Sequence, residues 1–247
     1  MPWIFLCVGV RSLIMNLIIP NVGQRRRKRH QDNPALKLFW EFEYHNMMVQ
    51  TQKGPLIENY LETLLRVMNQ ARQDCSRLFA VRIDLRFPAE DYTGYIGLDN
   101  AYIRKFLDFL QWELNIAGNT KPHKMRYVWC LEQATSSHHH YHLLLLLNGN
   151  AYRYLGDMKK SPDGFYSYDN LYHRLVRAWA FAINWPQECM DLLARVPEKH
   201  YKTLATWEFK DDDQTTFADL FYAASYLCKA YSKPIGQGVH CFDGSQL

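Results

Sequence analysis

The run Ser136–His142 reads SSHHHYH and leads into five leucines and Asn148. Successive side chains of an extended strand point to opposite faces, so His140 and His142 share a face and Tyr141 points away. Two imidazoles at i and i+2 can converge on one metal ion, and neutral imidazole is the commonest metal ligand near neutral pH. Glu132 lies eight residues before His140 and adds a carboxylate if the chain between them folds back as a hairpin. Two histidines and one carboxylate leave positions open for water or phosphate oxygens. This mixed set suits Mg²⁺ or Mn²⁺ acting as a Lewis acid on a phosphodiester. Cys130 shares a face with Glu132, so a structural zinc site is the competing reading.

A second group lies near the C-terminus, in TFADLFYAASYLCKAYSK (residues 216–233). At about 100° per residue, a helix here places Tyr222, Tyr226, Lys229 and Lys233 on one stripe. Phe217, Leu220, Phe221, Ala224, Leu227, Cys228 and Tyr231 fall on the opposite, apolar side. A tyrosine hydroxyl attacks phosphorus when its proton is drawn off and the phosphate is polarised. Lys229, one turn beyond Tyr226, can hold a phosphate oxygen or favour the phenolate. Tyr226 is therefore the expected nucleophile, with Tyr222 a second one and Tyr231 structural.

The remaining chain must build a frame for these groups. Its 247 residues are 48% hydrophobic and 22% charged, enough for one large domain or two small ones. Helical periodicity runs over residues 55–75. LFAVRIDLRF (78–87) alternates at period two and predicts a strand. A helix follows over 100–116 with Asp99 as its cap, then strands at 126–133 and 139–147 joined as an antiparallel hairpin. A helix over 170–184 capped by Asp169, a short helix from Pro186, a strand at 201–209 and a helix over 216–232 complete the series. The tail after Lys233, rich in Gly and Pro, is expected to be irregular. From residue 78 the order is β-α-β-β-α-β, which predicts a ferredoxin-like or RNA-recognition-type α+β core, with a central antiparallel sheet, helices on one face and a C-terminal tyrosine-bearing helix. The expected divisions are an apolar then basic segment (1–34), poorly ordered, a helical region (35–76), the core domain (77–233) and the tail (234–247).

Net charge is +4, from 29 basic and 25 acidic residues. Six of the basic residues lie before residue 35, against Asp32 alone, so the body is near neutral. The run Arg25–Arg29 is a candidate for phosphate contacts. The six cysteines are scattered without a C-x-x-C pair, which excludes a zinc ribbon and argues for free thiols in a reducing cytoplasm. No stretch of 18 apolar residues is present, so no membrane span is expected. The apolar first 20 residues lack the charged start and the cleavage site of a secretory leader, and translation from Met15 is an alternative start.

The His140-Tyr141-His142 strand, followed by Tyr222, Tyr226 and Lys229 as Y-x-x-x-Y-x-x-K, resembles the HUH endonucleases that initiate rolling-circle replication. More closely, the chain is similar to the YagK/YfjJ C-terminal domain family, replication-type proteins of filamentous phages and prophages. The matching segments are LFAVRIDLRFP, YVWCLEQ, HYHLLLLLN, LGD, AWAFAI and FYAASYLCKAYSK, within about residues 55–247. The resemblance implies metal-dependent nicking and rejoining of single-stranded DNA at a replication origin. The tyrosine would take the 5′-phosphate and release a 3′-hydroxyl for a host polymerase, with a host helicase as a further partner, in a bacterial cytoplasm. The competing class is a non-catalytic nucleic-acid-binding protein. The alternation of Phe79, Val81, Ile83 and Leu85 with Arg82, Asp84 and Arg86 gives it no aromatic stacking pair.

Overall fold

The computed structural model describes residues 26–88, 100–118, 124–133, 139–199 and 202–246. Leucine, β-branched and aromatic residues set the central strands, which are β5 (Arg77–Arg86), β6 (Arg126–Glu132) and β7 (His140–Asn148). They pair antiparallel, with β7 between β5 and β6. The other edge of β5 pairs with β9 (Thr206–Lys210) and, nearer the site, with β8 (Ala194–Arg195).

Among the described residues four helices cover the sheet: α1 (Glu58–Asp74), α2 (Ala101–Ile116), α3 (Leu171–Ile183) and α4 (Gln214–Ser225). Phe79, Val81, Ile83 and Leu85 of β5, with Tyr141, Leu143, Leu145 and Leu147 of β7, pack against α2 and α3. Leu78, Ala80, Leu144 and Leu146, on the opposite face, pack against α1 and α4. Helices thus lie on both faces rather than one, because the long helix before β5 folds back over the sheet. The fold is mixed α and β around an antiparallel sheet.

Several local expectations change. Residues 38–57 are not helical. They form the short strands β1 (Leu38–Phe39), β2 (Glu43–Tyr44), β3 (Met47–Met48) and β4 (Leu56–Ile57), which pair β1 with β4 and β2 with β3. Asn170, not Asp169, caps α3 by accepting the His173 N–H. Asp99 lies outside the described residues. The helix expected from Pro186 is a single 3₁₀ turn, Gln187–Cys189. The tail is not wholly irregular: β10 (Phe242–Gly244) adds to the free edge of β6. Among the described residues all five cysteines are free thiols, and no helix is long and apolar enough to cross a membrane.

The largest difference is the end of α4. The helix expected to run to residue 232 stops at Ser225 and tightens into a 3₁₀ turn, Tyr226–Cys228. Lys229 is extended (ψ 139°), bridges Leu56, and is followed by Ala230 donating to Pro55 O at 3.0 Å. Ser225 is fully buried; its hydroxyl donates to Tyr222 O at 2.7 Å and accepts the Gln50 N–H at 3.0 Å. Backbone pairing with the segment before α1 thus outweighs the helical preference of residues 226–232.

Candidate metal and tyrosine site

Strand register decides which polar side chains meet. His140 lies opposite both Glu132 and Arg86, and His142 lies opposite both Cys130 and Asp84. All point toward the α1/α4 face, at the end of the sheet that α4 does not reach. Ligand atoms of Glu132, His140 and His142 lie within 4.8 Å of one another, and the imidazole rings stand edge to face with centroids 4.8 Å apart.

Two of the three, His142 and Glu132, are held from behind. His142 Nδ1 is 2.6 Å from Asp84 Oδ1. This hydrogen bond fixes the ring and turns Nε2 inward, as a carboxylate does behind a metal-bound histidine. Nε2 is buried and makes no hydrogen bond, although Glu132 Oε2 is 3.3 Å away. Glu132 is almost fully buried. Its Oε2 is 2.7 Å from Lys229 Nζ, and its Oε1 is 3.3 Å from Lys233 Nζ and accepts the Cys130 thiol. An inward-facing nitrogen without a hydrogen bond, beside a second imidazole and a carboxylate, fits a divalent cation.

Burial and neighbouring charge set the two histidines apart. Burial, then the neighbouring His142, lowers His140 to about 4, so its imidazole is neutral near pH 7. Burial opposes the shift of His142, but the Asp84 hydrogen bond at Nδ1 and the Glu132 carboxylate 3.3 Å from Nε2 outweigh it and raise the pKa. Burial would raise Glu132, but His142 and Lys233 hold it well below the usual carboxylate range. Burial pushes Cys130 up to about 12.

Tyr226 stands over this cluster. Its ring is edge to face with His142 at 5.4 Å between centroids. Lys229 Nζ lies 3.7 Å from the Tyr226 centroid and the Arg82 guanidinium 5.2 Å from it. Burial, then Glu132, raises the Tyr226 pKa, and the Arg82 guanidinium acts against that shift. Of the residues expected from sequence, Glu132, His140, His142, Tyr226 and Lys229 come together. Tyr222 turns to a neighbouring cleft, where its hydroxyl accepts from Gln52 Nε2 at 3.3 Å. Tyr231 is 39% exposed rather than buried on an apolar stripe, because the helix that would have carried that stripe has ended. Its ring lies 5.3 Å from Lys229 Nζ.

Asp84 and Arg82 were missed as site residues. Their only sequence signal is the alternation R-I-D-L-R in β5, which became informative once the register set Asp84 beside His142.

A family model for the YagK/YfjJ C-terminal domain matches residues 40–245. A protein of Escherichia coli K12 carrying the description "Uncharacterized protein YagK" is 28% identical over 211 residues, covering 80% of this chain and 97% of its own length. No solved structure matches the chain. The family match spans the paired strands, the histidine pair and the tyrosine helix together, and the chain belongs to the YagK/YfjJ C-terminal domain family.

Proposed function

We propose that this protein nicks and rejoins single-stranded DNA through a tyrosyl-phosphate intermediate, as a rolling-circle initiator of HUH type. The observation that carries this reading is the Tyr226 ring 5.4 Å from His142, at the mouth of the Glu132–His140–His142 cluster. A nucleophile and a metal-ligand set share one small volume. The element order β5-α2-β6-β7-α3-β9 and strand sequence β9-β5-β7-β6 support a ferredoxin-like core beneath it.

Glu132, His140 and His142 would hold Mg²⁺ or Mn²⁺, and the ion's contribution when bound is to polarise the scissile phosphate. Tyr226 gives up its phenolic proton to solvent, aided by Lys229 and Arg82 at its ring. The phenolate oxygen bonds to phosphorus, the P–O3′ bond breaks, and the departing 3′-oxygen takes a proton. The 5′-phosphate remains on Tyr226, and the 3′-hydroxyl is free for a polymerase. Attack of that 3′-hydroxyl on the phosphotyrosine reverses the steps and rejoins the strand. Single-stranded origin DNA is thus the proposed substrate, and a host polymerase and helicase in the bacterial cytoplasm are the proposed partners.

The test is a covalent adduct between the full chain and labelled single-stranded DNA in Mn²⁺, mapped by peptide mass. The adduct is expected on Tyr226 and lost in Tyr226→Phe. Cleavage that persists in Tyr226→Phe would make water the nucleophile and remove the tyrosine from the mechanism.

A further inference from the structure

The site occupies only part of the polar surface beside α4. A cleft of about 320 Å³ adjoins it, lined by Arg82, Lys199, Trp207, Asp219, Tyr222 and Ala223 among others. Asp219, Tyr222 and Ala223 follow one another at helical spacing, and Tyr226 continues the same stripe one turn later. Arg82 is the shared wall. It lines the cleft, lies over the Tyr226 ring, and sits 3.7 Å from Asp84, which holds His142.

We propose that this cleft receives an unpaired nucleobase of the DNA strand whose phosphate lies at Tyr226. Its volume is at the lower end for small-molecule pockets. That suits one extruded base and excludes a duplex. Its lining combines aromatic and polar groups. The Trp207 indole is fixed by donating to Asp219 Oδ2 at 2.6 Å and carries Lys199 Nζ at 4.4 Å from its ring. Lys199 is itself oriented by donating to Thr206 O at 2.7 Å. Trp207 is buried at 4% exposure and forms the floor of the cleft, so the half-buried Tyr222, anchored at its hydroxyl by Gln52, supplies the ring on which a base stacks. Aromatic faces bind any base by stacking, and flanking cations follow the backbone. This assignment gives Tyr222 a binding role in place of the second-nucleophile role suggested by its spacing. It rests on the nuclease reading only for the identity of the neighbouring phosphate.

The experiment is photocross-linking of the full chain, in chelator, to single-stranded DNA containing 5-iodouracil, with the linked peptide mapped by mass. Cross-links are expected at Tyr222. Ala223→Phe, which fills the cleft from α4, should lower their yield about tenfold, since stacking of one base is typically worth about 1–3 kcal/mol. Ala223→Leu is the milder filler if the phenylalanine perturbs folding. Cross-links confined to other peptides, or unchanged in a folded cleft-filled variant, would overturn the assignment. The two proposals fail separately. Cross-links at the cleft with no Mn²⁺-dependent adduct would leave a binding cleft without nuclease action. An adduct on Tyr226 without these cross-links would remove the cleft alone.

Discussion

The two faces of β7 behave as two different proteins. Toward α2 and α3, Tyr141, Leu143, Leu145 and Leu147 are all buried in one apolar cluster. Toward α1 and α4, Leu144 and Leu146 are equally buried, but His140 and His142 occupy the positions beyond them. The first face is covered along its length. The second loses its helical cover where α4 ends at Ser225, and the uncovered end is filled by Tyr226, Lys229 and Lys233. A buried polar end requires partners for every charge. Here those partners are chemically useful groups, so the shortening of one helix separates a packing surface from a site.

The largest expected effects come from breaking each face at its centre. Glu132→Ala leaves Lys229 and the fully buried Lys233 side chain without their carboxylate. Removing one partner of such a pair typically costs about 3–5 kcal/mol, and Mn²⁺ binding should go with it. On the other face, Leu145→Ala opens a cavity at a fully buried position and should cost about 2–5 kcal/mol while leaving Mn²⁺ affinity unchanged. Urea unfolding and Mn²⁺ titration calorimetry on both variants check the comparison. Equal loss of Mn²⁺ binding in the two would mean that the faces are not separable.

Asp84→Asn is the next largest test and acts on one face alone. The amide keeps the size of the side chain but removes the charge that holds His142 Nδ1. Loss of a partner behind a metal ligand typically lowers affinity about 10–100-fold. The unfolding midpoint should change far less than in Glu132→Ala. An unchanged Mn²⁺ affinity would show that Asp84 serves packing only.

The apolar face was legible in the sequence, and the polar one only in part. Period-two alternation located β5, and short apolar runs joined by a polar turn located β6 and β7, each to within a residue or two. The His140–His142–Glu132 cluster was legible for the same reason: strand parity and one hairpin suffice to place three residues. The end of α4 was not. Its helical stripe continues through Lys233, and the competing hydrogen bonds come from Pro55 and Leu56, more than 170 residues earlier. Likewise β10 is three residues long, too short for any period, and is defined only by the edge of β6. Asp84 gained its meaning from a register that a single strand does not reveal.

The smallest expected effect compares a histidine from each side of the sheet as a reporter of its surroundings. His142 is raised by carboxylates, whereas His173 on α3 is fully buried and lowered, chiefly by that burial. His173 Nδ1 accepts the Tyr168 N–H at 3.0 Å, and Nε2 lies 2.9 Å from Lys159 O. That pattern needs the neutral ring with its proton on Nε2. The unfolded chain protonates this histidine near pH 6.5, the folded chain only at lower pH. Between those values the unfolded state binds the extra proton, so the contribution of His173 is complete above about pH 6.5 and is lost as pH falls. Its share of the slope is at most one proton, about 1.4 kcal/mol per pH unit. His142, with its raised pKa, has the opposite sign: its contribution is present below about pH 6.5 and lost as pH rises through its folded value. Measuring the stability difference between the wild-type chain and His173→Gln from pH 7.5 to pH 5 cancels the shared background. The difference should shrink as the pH falls. A difference that is constant across that range would mean that His173 titrates alike in both states, and that burial on this face places no electrostatic demand on it.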